Sequence, residues 1–155
     1  MIAIITDLKQ IVETYIQKFS QIPDEDFSAK PNPNKWSRKE VVGHLTDSAQ
    51  NNLRRFIVGQ YETEPNIVYE QDFWVKSNNY QETPTENVIQ LWKLLNLQIC
   101  SVLSTMPKEN YSRLCNTGRG TQNLRTIEWL AADYVKHLKH HINQVIVGAF
   151  DVIYP

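Results

Sequence analysis

Four stretches of this chain carry apolar residues at three- and four-residue intervals, and that helical period constrains the fold more than any other feature. The first puts Ile5, Leu8, Ile11, Val12, Tyr15, Ile16 and Phe19 on one face. The second, RKEVVGHLTDSAQNNLRRFIVGQ, runs about six turns to around Gln60. The third, ENVIQLWKLLNLQICSVLSTM, aligns Val88, Leu91, Trp92, Leu95, Ile99, Val102 and Leu103, and Pro107 marks its end. The fourth, TIEWLAADYVKHLKHHINQVIVGAF, ends near Gly148. In 155 residues this predicts one all-α domain over 1–155, a four-helix bundle with two lengthy connections.

Helix starts are marked by side chains able to bond the first free N–H groups. Ser37 and Glu40 have the capping-box spacing, with Trp36 and Val41 at the two ends of a hydrophobic staple. Thr83-Pro84-Thr85-Glu86 repeats the box with proline at the first helical position, and Thr126 is a candidate cap for the last helix. Between helices, QIPDEDFSAKPNPNKW holds three prolines and reads as a connection. Residues 61–82 have aromatic anchors but no sustained period, which predicts a long connection with one helical turn near Asp72–Val75. Residues 107–125 read as a loop. Gly118-Arg119-Gly120 there is a plain turn, since neither a Walker pattern nor GxGxxG is present. Gly43 inside the second helix costs about 1 kcal/mol relative to Ala, which leaves two readings, a neighbouring element in close approach or an incidental glycine.

Charge and composition exclude several function classes. Sixteen Lys plus Arg against seventeen Asp plus Glu leave a net charge of −1, which argues against nucleic-acid binding through a broad basic surface. No apolar run approaches the roughly 20 residues needed to span a bilayer. The N-terminal stretch lacks a basic n-region and a small-residue cleavage site. The two cysteines, Cys100 and Cys115, make no disulfide framework, so a reducing cytoplasm is the expected compartment.

Chemistry concentrates in the histidines. Of four, His137, His140 and His141 fall within five residues of the last helix. His137 and His141, four positions apart, share a face and can direct two imidazole nitrogens at one cation. Their stripe includes Leu130, Tyr134, Leu138 and Val145, which turns them towards the bundle interior. His140 lies off that line, although an i,i+3 pair with His137 stays open. His44, in the second helix, is the remaining imidazole, and a His44/His137/His141 triad leaves open positions for water or substrate. There is neither HExxH nor the paired Glu-x-x-His of di-iron bundles. Asp47, three residues after His44, is the candidate for orienting an imidazole, accepting a proton or binding the cation. Asp133 reads as a solvent-exposed carboxylate. Arg55 reads as a partner in a helix salt bridge, with an anionic substrate as the other reading. Tyr134 and Trp129 read as packing residues, and Cys100 as a buried thiol.

The segment KWSRKEVVGHLTDSAQNNLRRF, followed about ninety residues later by TIEWLAADYVKHLKHHINQV, resembles the DinB/YfiT-like superfamily of helical metalloproteins. The specificity lies in combining W-S-x-x-E-x-x-x-H-L-x-D-S with D-Y-x-x-H-L-x-H-H-x-x-Q. The resemblance covers essentially the whole chain and implies an up-down-down-up bundle, often dimeric. It also implies a divalent metal on His44, His137 and His141, with His140 left out. Zinc or nickel is the first expectation, then iron or manganese. Implied activities are metal-dependent hydrolysis or transfer of a low-molecular-weight thiol, acting on a small molecule. The competing class is a helical interaction or dimerisation protein whose histidines are structural or vestigial.

Overall fold

A computed structural model describes residues 1–154. Four long helices form the bundle: α1 (Ile2–Ser20), α3 (Arg38–Val58), α5 (Thr85–Thr105) and α6 (Ile127–Val145). Short helices α2 (Asp24–Ser28) and α4 (Gln71–Asn78) lie in the first two connections. The third contains a 3-10 turn at Lys108–Asn110 and the antiparallel strands β1 (Leu114–Asn116) and β2 (Leu124–Thr126). No helix among the described residues is long and apolar enough to cross a membrane.

Contacts between helix ends give the direction of each helix. The Lys39 ammonium donates to the carbonyls of Gln81 and Thr83, so α3 and α5 start side by side and run parallel. Thr85 Oγ1 donates to Asp24, which places the end of α1 at those starts, so α1 opposes both. The Met1 amino group meets Glu128 and Lys139 meets Asp7, so α6 runs with α1. The path is up-down-down-up, and around the bundle the order is α1, α5, α3, α6 and back to α1. Phe19, Phe27, Trp92, Leu103 and Leu138 are among the large side chains fully removed from water at its centre. Burying each large apolar group stabilises by about 1.5–3 kcal/mol. One polar pair crosses this core: the Tyr134 hydroxyl donates to Asn96 Oδ1 at 2.6 Å.

Local signals in the sequence fared unequally. The Ser37–Glu40 box forms in both directions, at 3.1 Å and 2.8 Å, and Thr126 caps α6 by accepting from Trp129 N. The box at Thr83 does not form. Thr83 Oγ1 bonds the Asn79 carbonyl instead, and α5 begins at Thr85 with Pro84 as its uncapped N-terminal neighbour. Asn79 is in the left-handed region (φ 50°, ψ 47°), and that turn carries its carbonyl within reach of Thr83. Trp36 stacks on His44, one turn further than the staple predicts, at 5.0 Å between ring centroids. The turn near Asp72 extends to eight residues. α2 and the hairpin escaped prediction because a five-residue helix and three-residue strands are too short to display a period. Gly43 does face a close neighbour: a Cβ there would lie 2.2 Å from Tyr80 Cδ2.

Candidate metal centre

α3 is the most enclosed helix of the four, packed against α5, α6 and α4, and it buries polar as well as apolar side chains. Several of these find acceptors within the helix: Thr46 Oγ1 bonds the Val42 carbonyl, Asn51 that of Asp47, and Asn52 that of Ser48. Such internal bonding lets polar groups sit in a core without the desolvation penalty of an unmet donor. His44 is part of this face and is fully buried. On α6, Leu130, Tyr134, Leu138 and Ile142 anchor the helix in the core, and His137 and His141 project at the margin of that stripe towards α3.

The three rings converge. Centroids are 5.2 Å apart for His44 and His137, 4.6 Å for His44 and His141, and 4.4 Å for His137 and His141. One nitrogen from each lies within 4.8 Å of the other two. His44 Nε2 and His137 Nε2 are 3.3 Å apart. Ser48 Oγ stands 3.4 Å from His137 Nδ1, and Gln144 Oε1 lies 3.2 Å from His141 Nδ1. Those neighbours occupy the outer nitrogens and leave the Nε2 atoms facing inward. His140 is outside the cluster, beside Gln144 and the Tyr154 ring.

Electrostatics favour neutral imidazoles. Burial, then repulsion from His141, pushes His44 down to about 3. Burial and the three other histidines push His137 well below its ordinary range. His141 is lowered by burial, with Gln144 opposing. Neutral imidazole is the form that binds a cation.

A metal ion fits these residues. Two nitrogens each about 2.0–2.1 Å from a tetrahedral ion are separated by about 3.3 Å, the separation observed between His44 and His137. The donor set is three neutral nitrogens, the composition of open catalytic zinc sites. Buried His44 Nδ1 has no hydrogen-bond partner among the described residues, and the ring stands against Trp36 and its two fellow imidazoles.

Beside the histidines opens a cavity of about 390 Å³, lined by His137, His140, His141, Arg55, Tyr69 and Tyr154 among others. Asp47 does not line it. Its Oδ1 accepts from the Tyr80 hydroxyl at 2.6 Å and Asn78 Nδ2 at 2.8 Å, tying the α4 connection to α3, while its Oδ2 is buried without a partner among the described residues. Burial pushes this carboxyl up to about 6, against the two hydrogen bonds. Asp133, expected in solvent, is half-buried and accepts from the Tyr154 hydroxyl at 3.1 Å. Arg55 makes no salt bridge among the described residues; it binds the Ile67 carbonyl and Asn52. Trp129 is half-exposed beneath Arg125 and packs no core. Cys100 is buried, its thiol pushed up to about 11 by burial, and Cys115 is pushed up for the same reason. Tyr69, Tyr154, Tyr80 and the stacking role of Trp36 were absent from the sequence reading. The three tyrosines have no spacing relation to the histidines, because each arrives from a connection or the C-terminal segment, and the fixed spacing of Trp36 before His44 does not by itself show that the two rings meet.

Comparison with known proteins follows the same lines. A family model described as the DinB superfamily matches residues 8–145. A protein of Geobacillus thermodenitrificans (strain NG80-2) named "Putative metal-dependent hydrolase" is 24% identical over 143 residues, covering 92% of this chain and 80% of its own. The solved structure of YfiT from Bacillus subtilis, described as "a probable metal-dependent hydrolase with an unusual four-helix bundle topology", superposes with a TM-score of 0.81 at 23% identity, covering 92% of this chain and 82% of its own. A mycothiol-dependent maleylpyruvate isomerase shares the fold with a TM-score of 0.70 at 10% identity; 90% of this chain matches 58% of that one.

Proposed function

This chain belongs to the DinB superfamily, and on that premise we propose that it is a metal-dependent hydrolase of a small molecule, with a divalent ion held by His44, His137 and His141. The observation that carries the reading is the convergence of three neutral imidazoles, two of them lining an open cavity. The chemistry such an ion supplies when bound is Lewis acidity, which acidifies water and polarises an electrophile. The chain's own residues do the rest. Trp36 and the buried face of α3 hold His44, while Ser48 and Gln144 hold the outer nitrogens of His137 and His141. The Tyr154 ring, 5.5 Å from that of His137, shields one side of the cluster from water. Asp47 acts at a distance from the cavity, fixing α3 against Tyr80 and Asn78.

Transfer of a low-molecular-weight thiol is the second reading, and a separate observation favours it. A cavity of about 740 Å³ reaches two neighbours of the cluster, Trp36, which stacks on His44, and Gln144, which bonds His141. That volume is within the range of cofactor pockets.

The test is metal content by elemental mass spectrometry alongside turnover. One ion per chain in the parent and in His140→Ala, lost in His44→Ala, His137→Ala and His141→Ala with the fold intact, is the expected result. Ester and amide substrates turned over without added thiol support hydrolysis, whereas turnover only with thiol supports transfer. Equal metal loss in His140→Ala refutes the ligand assignment.

A further inference from the structure

Arg55 is a half-buried cation without an anion. Its Nε and Nη2 donate to the Ile67 carbonyl at 3.1 Å and 2.8 Å, and its Nη1 to Asn52 Oδ1 at 3.2 Å. A guanidinium has five N–H groups. Three are used, so one on each terminal nitrogen has no protein acceptor among the described residues. Those same residues place no carboxylate within 4.0 Å of it. Asp133, the carboxylate on the same cavity, accepts from Tyr154 instead. Two further features hold this cation in place. Ile67 is fixed by bridging to β1, its N–H donating to the Asn116 carbonyl at 3.0 Å. Asn52 is fixed by donating to Ser48, which in turn neighbours His137.

We infer that Arg55, braced by Ile67 and Asn52, is the subsite for an anionic group, a carboxylate or phosphate, on the substrate that reacts at the histidine cluster. This rests on the reading of that cluster as the reactive centre. Paired N–H groups on adjacent guanidinium nitrogens match the two oxygens of such an anion. Ser48, Asn52 and Arg55, at spacings of four and three on one face of α3, line the same cavity as His137 and His141. Ser48, beside His137, and Arg55 are seven residues apart, about 10 Å along the helix. The arginine leans back towards the helix start, which shortens that span. The substrate class is therefore a small molecule with its anionic group several bonds from the bond that reacts. The cavity, about 390 Å³, is near the lower end of the range for such ligands.

The probes are adipate, its neutral diamide and inorganic phosphate, titrated by calorimetry at physiological salt into the metal-free 155-residue chain. Adipate or phosphate binds at least about tenfold more tightly than adipamide. Arg55→Gln abolishes that preference, and Arg55→Lys, which keeps charge but loses the paired donors, retains part of it. Adipate ahead of phosphate assigns carboxylate substrates; the reverse order assigns phosphorylated ones. Because Arg55 also braces the connection, the unmutated protein supplies an independent readout. The Arg55 guanidinium N–H resonances shift on addition of the favoured anion and stay still with adipamide. No shift at tens of millimolar of either anion, or equal binding by parent and Arg55→Gln, overturns the inference. Metal content of Arg55→Gln stays at the parental level, so failure of this subsite is distinguishable from failure of the metal centre.

Discussion

Helix propensity and tertiary packing make opposite predictions for Gly43→Ala. In a helix interior alanine is favoured by about 1 kcal/mol, so on propensity the variant is more stable. The structure reverses the sign. A Cβ at this position lies 2.2 Å from Tyr80 Cδ2 and 2.4 Å from Cγ, the stiff inner part of a buried ring. Relief requires Tyr80 to move, and overpacking of this kind costs about 1–3 kcal/mol. The Tyr80 hydroxyl is also one of two donors to Asp47, and losing a hydrogen bond to a buried carboxylate costs about 1.5–3 kcal/mol. Set against the propensity gain, the net loss is about 1.5–5 kcal/mol, or about 3–20 °C in melting temperature for a domain of this length. Urea denaturation followed by far-ultraviolet circular dichroism measures it, with an unchanged m-value as the check that the unfolded state is comparable. In a Tyr80→Ala background the clash is gone, and Gly43→Ala stabilises by up to about 1 kcal/mol. A Gly43→Ala variant more stable than the parent refutes the packing argument.

Ser37→Ala removes the Glu40 N–H acceptor and the 2.8 Å bond to Gln81, and lowers stability by about 1–2 kcal/mol in the same denaturation assay. Asp47 holds its proton more tightly when folded, with a value of about 6 against an ordinary 3.8. Its contribution is therefore present below about pH 4 and lost as pH rises to about 6. Melting curves across that window flatten in Asp47→Asn relative to the parent; identical slopes refute the assignment. Zinc at a hundredfold excess over its dissociation constant stabilises the parent and His140→Ala by about 2.7 kcal/mol. Differential scanning fluorimetry detects that shift, and His137→Ala shows none.

The helices were legible because each repeats its apolar pattern over many turns, and α6 also carries its cap and all three of its histidines within sixteen residues. That His137 and His141 share a face followed from helix geometry, which left His137 with His140 open as well. The convergence of His44 on that pair, 93 residues away from His137, was not legible from spacing; the resemblance supplied it as an expectation. Arg55 misled for a related reason. A charged residue on a helix finds a salt-bridge partner by default, but here the connection after α3 folds back and presents the Ile67 carbonyl. Thr83 shows the same limit on a local scale, since its capping spacing competes with an acceptor created by the turn at Asn79.

What the residues by themselves determined was therefore everything with a period: four amphipathic helices, two of their caps, and one histidine pair on one face. Tertiary structure alone decided which faces meet, that Tyr80 fills the space over Gly43, and that Tyr69 and Tyr154 line the cavity. Helical order is written into contacts three or four residues apart, which a linear pattern records. A site is assembled from contacts dozens of residues apart, and those exist only once burial of the core has brought α3 and α6 together.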